Sequence, residues 1–538
     1  MKKLLALILA LMLIAPAAMA DVTFPLEETA TLSIALQQSP LVNDYEDNAL
    51  TKWLFERTNV QLKFVLFPST DAATKLNLMI SGGDKLPDVL TFGVNATTAY
   101  EWGSEGVLVP LNDYFDNEGQ YYRDLCASFG FDADDLLKQI TSVDGNIYGT
   151  PVYLPTYNNM SSPSRGWINQ DWLDAVGMTA PTTYDELVAV LTAFQEKDPN
   201  GNGQADEIPM TGPQALKYIE NMFIYSPAGN HYLPMNETDG KLDVDYDKPA
   251  YREFLKAAND LVARGLLSPL TFTMDNNQMK ALLTADDCQV GLFANQWGGQ
   301  WCVDATDRFS AFEVPAGPEG AQYISIDKPA AGYSAAITTD CENTDLAIHY
   351  MMMQCEPSAN AADVVFVERY GLEDVDWRRF DPETDKDMES AIPGITPYQV
   401  SINEVWGVQN SQLWQTQPFF LAGDPAWWVT AVDKANPTAT ANYFMGQNYA
   451  LNIEHGPALE NLVVNTYFVY TDEEVSDWAD ARTALDTYIN EAATRFALGE
   501  LNPNDDADWN AYLEELGKLQ YQEIIAVDQA AYDRKQAL

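Results

Sequence analysis

Between residues 31 and 92 the apolar positions switch repeatedly between strand-like and helical spacing. Thr31 to Leu36 reads as a strand, Asn48 to Thr58 as a helix, and Val60 to Phe67 as a second strand. A helix over Ala72 to Ile80 follows, then the turn Gly82-Gly83-Asp84 and a buried strand Asp88 to Phe92. Strands alternating with helices predict a parallel sheet covered by helices, an α/β fold. Further on, Asp171 to Ala175 and Thr183 to Glu196 read as helices. In the second of these, Leu187, Val190, Leu191 and Phe194 line one face. Thr182-Thr183 supply its N-cap, with Glu186 placed as in a capping box. Tyr251 to Arg264 is an amphipathic helix closed by Gly265, and Gln289 to Ala294 a short buried strand. Ala335 to Thr338 reads as a strand and Thr344 to Gln354 as a helix. The remainder reads as mostly helical with long loops, including Glu474 to Leu498 and a single last helix over Asp508 to Gln529.

The first twenty residues stand outside this pattern. Lys2-Lys3, the apolar run Leu4 to Ala15 and the small-x-small site Ala18-Met19-Ala20 are the parts of a secretory signal, with cleavage expected before Asp21. That run is short for a membrane span, and no later segment reaches about 18 uninterrupted apolar residues. No cysteine lies at the cleavage site to carry a lipid anchor. The expectation is an exported chain, periplasmic or extracellular, with no membrane insertion. A formal charge of −49 argues against nucleic acid as a partner and disfavours a polyanionic ligand. Of the five cysteines, Cys288 with Cys302 and Cys341 with Cys355 are near-sequence disulfide candidates; five buried thiols fit the sequence equally well.

One stretch carries metal chemistry. In Asp198 to Glu207, DPNGNGQADE, oxygen-bearing side chains fall at Asp198, Asn200, Asn202, Asp206 and Glu207, and Gly203 holds the sixth position. Calcium takes about six to eight oxygens, and a sixth-position glycine permits the sharp turn between them. Gln204 would add its main-chain carbonyl. Where an EF-hand places its bidentate Glu, this chain has Pro209, so the acidic closure comes early, at Asp206-Glu207. Catalytic signatures are lacking: His231, His349 and His455 are isolated, and neither H-E-x-x-H, C-x-x-C, G-x-S-x-G nor a Gly-rich phosphate motif occurs. Carboxylate pairs for glycoside hydrolysis are not excluded by counting, because 79 acidic residues make pairs everywhere.

Several collinear motifs resemble a known family. They are Leu86-Pro87-Asp88-Val89, Trp167-Ile168-Asn169-Gln170-Asp171-Trp172-Leu173, the Asp198 loop with its tail Asp206-Glu207-Ile208-Pro209, Gly265-Leu266-Leu267, Val290-Gly291-Leu292-Phe293 and Arg369-Tyr370-Gly371-Leu372-Glu373. Together they are similar to the family 1 extracellular solute-binding proteins of ABC importers, above all the large oligosaccharide-binding branch that includes alginate-binding proteins. The resemblance implies a two-lobed periplasmic-binding-protein-like fold (type 2) with the ligand cleft between the lobes. Hinge crossings would lie near Tyr148 to Pro151 and Ala330 to Tyr333. It divides the chain into signal peptide 1–20, first lobe 21–152 and 332–360, and second lobe 153–331 and 361–538. It also implies a structural Ca2+ in the second lobe, away from the sugar, and ABC permease subunits as partners of a monomeric, non-catalytic protein. Family members on Gram-positive cells usually carry a lipid-modified cysteine at the cleavage site, which this chain lacks.

Sugars present apolar faces and polar edges, so a sugar cleft needs aromatic platforms beside hydrogen-bonding side chains. Asn295-Gln296-Trp297-Gly298-Gly299-Gln300-Trp301 combines both and follows a predicted strand, where open α/β sheets bind ligands. Resemblance to maltose-binding relatives places Trp297 at the position of a sugar-stacking tryptophan; Trp301 is the second candidate. Trp414, Phe419, Phe420, Trp427 and Trp428 form another aromatic group, in which Trp427 or Trp428 is expected to face the cleft. Tyr153, Tyr157 and Arg369 complete the candidate ligand set. Scarcity of Arg and Lys favours a neutral oligosaccharide over uronates. Two other readings remain open: a secreted calcium-containing polysaccharide hydrolase or lyase, and a binding protein for a non-sugar solute such as a peptide.

Overall fold

The computed structural model of the protein describes residues 22–153, 165–225, 236–238, 240–274, 276–295, 308–323, 331–355, 361–391, 395–403, 405–406, 408–421, 429–434, 468 and 470–537. Its strands are β1 (Ala30–Gln38), β2 (Val60–Pro68), β3 (Val89–Leu90), β4 (Thr150–Tyr153), β5 (Gly166–Asn169), β6 (Ile208–Thr211), β7 (Asn236–Thr238), β8 (Lys241–Asp243), β9 (Val290–Ala294), β10 (Phe309–Ala311) and β11 (Ala331–Ile337), then the short β12 (Trp377–Arg379), β13 (Met388–Ser390), β14 (Gln399–Ser401) and β15 (Ala431–Asp433). The chain falls into two units. One takes its described residues from Met1–Val152, Gly332–Trp377 and Ile402–Gly423; the other from Tyr153–Ala331, Arg378–Ser401 and Asp424–Leu538.

The first unit is built on a five-stranded sheet of order β2-β1-β3-β11-β4. β1 runs parallel to β2 from Ala30↔Val60 to Gln38↔Pro68 and parallel to β3 at Ile34↔Val89, while β11 is antiparallel to β3. The alternating units predicted from sequence therefore form a parallel set, β2-β1-β3, to which β11 adds antiparallel. β3 is shorter than the predicted strand, spanning only Val89–Leu90. Asp88 explains its position: its Oδ2 accepts from both the amide and the hydroxyl of Ser33 at 2.7 Å, locking β3 against β1. The helix Ala49–Thr58 starts on Asn48, whose Oδ1 accepts from Leu50 N, and ends on Asn59 in the left-handed region at φ 55°.

Residues 361–377 and 402–421, expected in the second lobe, group with the first unit. Main-chain bonds from Asn43, Ala49 and Leu50 to the carbonyls of Asn410, Ser411 and Gln412 stitch the later segment to the first helix. Asn48 Nδ2 donates to Leu413 O at 3.1 Å, and Trp414 Nε1 to Thr51 Oγ1 at 2.9 Å. Trp414, Phe419 and Phe420 are all buried, so these three members of the aromatic group are core. Cys126, Cys288 and Cys341 are free thiols, which removes both near-sequence disulfides. Burial pushes the Cys126 and Cys341 thiols up to about 11, as inert structural cysteines require.

The second unit carries a four-stranded sheet, β10-β5-β9-β6, with β5 antiparallel and β6 parallel to β9. Alternate residues feed two cores: Ile168, Met210, Leu292 and Ala294 join the larger one, and Trp167, Phe293 and Phe309 the smaller. The helix Tyr184–Glu196 buries Leu187, Val190, Leu191 and Phe194 as its periodicity predicts. Thr183 caps it by accepting from Glu186 N, while the Glu186 carboxylate takes the amide and hydroxyl of Thr182, both at 2.8 Å. The predicted last helix is in fact two, Asp506–Lys518 and Tyr521–Gln536, broken at Gln520, whose φ is 61°. The break lets Trp509, Tyr512 and Leu516 on one helix and Tyr521 and Ile524 on the next all reach the larger core. Among the described residues no helix is long and apolar enough to cross a membrane.

Candidate functional site

The acidic loop lies between the end of the helix Tyr184–Glu196 and the start of β6. Asp198, Gly201 and Gly203 adopt φ of 45°, 71° and 76°, so the backbone winds tightly and turns its amides inward. Asp198 accepts from Asn202 N at 3.1 Å and from Gly203 N at 3.0 Å, while Asn202 Oδ1 accepts from Gln204 N at 2.7 Å. The two asparagine amides converge on Asp206: Asn202 Nδ2 lies 3.1 Å from its Oδ1, and Asn200 Nδ2 3.5 Å. These donors hold the Asp206 carboxyl below its ordinary range, the Asn202 bond being the largest cause. Glu207 moves the opposite way. Its pKa rises, first through burial and then through the nearby Asp198 and Asp206 charges. Its Oε1 is buried without a hydrogen-bond donor.

An acceptor-rich loop with a stranded carboxylate oxygen suits a hard cation. Among the described residues, however, no three His, Cys, Asp or Glu side chains converge as a metal set. The loop's oxygens are mixed, with amides between the carboxylates. Two further residues join it that sequence reasoning missed. Gln289 Nε2 donates to Asp206 Oδ2 at 2.6 Å, and Asn202 Nδ2 to Asp287 Oδ2 at 3.0 Å. Both precede β9, which runs parallel to β6 from Ile208↔Val290, so residues before one strand lie beside residues before the other. The acidic pair Asp286-Asp287 ahead of a predicted strand was the available signal.

The opposite, carboxyl end of β9 leads into the aromatic run at Asn295. Because β5 is antiparallel to β9, the residues entering β5 sit at that same end, with Gly166 opposite Ala294 and Trp167 opposite Phe293. Arg165 is wholly buried here, and desolvation brings its guanidinium down to about 10, partly offset by Tyr218 and Glu313. A Cβ at Gly166 would lie 2.7 Å from the Tyr218 ring and 2.8 Å from that of Phe312, so only glycine fits between them. Thr211 at the end of β6 is buried, its hydroxyl 3.4 Å from that of Thr271. Asn295, Arg165 and Thr211 thus bring polar groups to the end of the sheet where α/β folds bind ligands. Arg165 carried no motif in the sequence.

Of the predicted ligand residues, Trp297, Trp301, Trp427, Trp428 and Tyr157 lie outside the described residues. Tyr153 closes β4, and its side chain likewise lies outside them. Arg369 occupies the last turn of the helix Ala361–Tyr370 in the first unit. Its guanidinium stacks 4.5 Å over the Trp406 ring and 6.0 Å over that of Tyr370.

The sequence profile described as bacterial extracellular solute-binding protein matches residues 39–351, more than half of the chain. This chain belongs to that family. Members of the family are solute-binding proteins and not enzymes. The fructooligosaccharide ABC transporter substrate-binding protein FusA of Streptococcus pneumoniae is 26% identical over 536 residues, covering 96% of this chain and 92% of FusA. Solved structures of FusA with kestose, and of a FusA EF-hand mutant with fructo-nystose, each match at TM-score 0.70 and 23% identity, over 94% of this chain and 99% of theirs. An extracellular solute-binding protein from Bifidobacterium longum subsp. infantis matches at TM-score 0.74 and 17% identity, over 94% and 98%. Alginate-binding protein AlgQ2 without calcium ion matches at 0.61 and 19%, over 95% and 99%. This solute-binding protein shares their mixed α/β two-domain fold.

Proposed function

We propose that the protein is the exported substrate-binding component of an ABC importer, capturing a neutral oligosaccharide and handing it to permease subunits. The supporting observation is its end-to-end correspondence with FusA, which leaves no large domain of either chain unmatched. In this reading the type 2 fold closes its two lobes on the sugar as a monomer and without turnover. Trp297, with Trp301, Trp427 or Trp428, Tyr153 and Tyr157, supplies stacking surface. Closure is favoured only by contacts the sugar makes to both lobes.

The reading includes a structural Ca2+ held by Asp198, Asn200, Asn202, the Gln204 carbonyl, Asp206 and Glu207. The stranded Glu207 Oε1 and the crowding of carboxylates around it support this assignment. When bound, the ion neutralises that charge and fixes the loop between helix and β6. Arg369 is retained as a ligand candidate through its aromatic stack. Isothermal titration against kestose, nystose and uronate oligosaccharides, with small-angle scattering for closure, tests the proposal. Sugar cleavage without stoichiometric binding would sink it and restore the hydrolase or lyase reading. Binding of peptides alone would change the cargo and keep the fold.

A further inference from the structure

The chain contains two Asn-Gly pairs, Asn200-Gly201 and Asn202-Gly203, and both fall in the acidic loop. Such a pair is prone to lose its side-chain amide, because glycine has no Cβ to shield its nitrogen from the preceding Cγ. The backbone here is open: Gly201 and Gly203 are exposed, and nothing lies within 4 Å of where a Cβ would stand on either. The two pairs are nevertheless held differently. The Gly203 amide donates to a charged acceptor, Asp198 Oδ2, at 3.0 Å, whereas the Gly201 amide meets the Asp198 main-chain carbonyl at 3.1 Å. The Asn202 side chain is fixed at both ends. Its Oδ1 accepts from Gln204 N at 2.7 Å, and its Nδ2 donates to Asp206 at 3.1 Å and to Asp287 at 3.0 Å. Asn200 Oδ1 accepts from Asn202 N at 3.1 Å, but its Nδ2 lies 3.5 Å from Asp206, a weaker contact.

We propose that Asn200 is a site of spontaneous deamidation in the folded protein, and that Asp198 and Asp287 protect Asn202 from the same reaction. The Gly201 nitrogen gives up its proton to water and attacks Asn200 Cγ. The N–Cγ bond forms, the Cγ–Nδ2 bond breaks, and the amide nitrogen takes up a proton and leaves as ammonia, closing a succinimide. Water then adds to either ring carbonyl and opens the ring to aspartate or isoaspartate, so water is the one co-reactant. At Asn202 the attack requires Gly203 N to give up a carboxylate acceptor and the side-chain amide to turn away from two more. Aspartate at position 200 adds a charge to a loop that already holds Asp198, Asp206 and Glu207. Isoaspartate routes the main chain through Cγ, which lengthens the link between the helix Tyr184–Glu196 and β6 by a methylene.

The test incubates the whole protein at mildly alkaline pH, below its melting temperature, with a chelator present so that the outcome does not depend on the proposed Ca2+. Peptide mass spectrometry with fragmentation then reads the replacement of NH2 by OH at each position. Folded wild type should lose the Asn200 amide about tenfold faster than that of Asn202, while urea-unfolded protein loses both at similar rates. Asp287→Ala, an exposed change outside the loop, should speed loss at Asn202 and leave Asn200 at the wild-type rate. Asp198→Asn keeps a side chain that tolerates the left-handed backbone but offers one oxygen to two amides, and should speed loss at Asn202 by about tenfold. Equal rates at the two sites in folded wild type, or loss at neither while unfolded protein loses both, overturns the assignment of Asn200. A tenfold difference that persists in urea would trace to sequence and overturn the role of the fold. Loss at Asn202 at the wild-type rate in either variant overturns protection by the residue changed.

Discussion

Glu368 is a carboxyl group held wholly inside the protein. It lies in the helix Ala361–Tyr370 with no exposed surface; Oε1 accepts from Phe419 N at 3.0 Å, and Oε2 is buried without a hydrogen-bond partner. A titratable group near it is Tyr350, also wholly buried, whose ring meets that of Phe419 at 5.5 Å. Burial pushes the Glu368 carboxyl well above its ordinary value, against a smaller opposing effect of the Phe419 amide, and the Glu368 charge in turn raises Tyr350. Glu368 should therefore be a neutral acid in the folded protein at pH 7. The sign follows from the direction of the shift. A carboxyl whose folded pKa lies above its unfolded value of about 4.3 stabilises fully below that value, and the contribution is lost as pH rises through the folded pKa.

Glu368→Gln keeps an acceptor for Phe419 N–H and is neutral at every pH. Its melting temperature should match wild type at pH 5 and exceed it increasingly towards pH 9. Glu368→Leu strands the Phe419 amide at a cost of about 1–3 kcal/mol. For a folded unit of ~150–250 residues that lowers the melting temperature by about 2–12 °C at all pH values. Scanning calorimetry of the three proteins at pH 5, 7 and 9 is the assay. Parallel curves for wild type and Glu368→Gln across that range would refute a neutral Glu368, since an ionised carboxylate would already have been accommodated.

Two further outcomes are expected. Asp198→Ala, or chelation of wild type, should lower thermal stability and abolish the gain on adding calcium, which for saturation at a hundredfold excess over Kd is about 2.7 kcal/mol. Oligosaccharide affinity of the folded protein should stay within about twofold, and chelation that abolished binding without moving the melting temperature would show the loop to be part of the ligand site. Asp528 is wholly buried, is raised to about 6 by desolvation against the pull of Arg482, and pairs with Arg482 and with the Tyr470 hydroxyl. Asp528→Ala leaves a buried guanidinium uncompensated, at about 3–5 kcal/mol, so a melting shift under about 2 °C would contradict the pairing.

What could be read in the chain and what could not divides along physical range. Local signals carried well: the helical spacing of Leu187, Val190, Leu191 and Phe194 is the buried face of a real helix, and the helix expected over Asn48 to Thr58 runs Ala49–Thr58 with Asn48 as its cap. Gln520 failed for a local reason of another kind, because nothing about a glutamine announces a left-handed residue, and helical periodicity ran through it on both sides. Long-range partners were invisible. Asp287 and Gln289 reach the acidic loop only because β6 and β9 lie side by side, and residues 410–414 belong to the first unit only because they bond to residues 43–51. Arg165 escaped notice because a lone arginine gives no hint of being wholly buried.

The interleaving of the two units also governs when each can exist. The first begins at β1 but lacks Trp414, Phe419 and Phe420 until the chain has been made past residue 421 of 538. Without them Thr51 loses the indole it accepts from, Glu368 loses the Phe419 amide, and the main-chain partners of Asn43, Ala49 and Leu50 are missing. An N-terminal fragment ending at residue 401 is thus an unfinished body with an open core. Contacts of such sequence separation slow folding. The sheet of the first unit is thus made early in synthesis, and the segment that closes its core comes late.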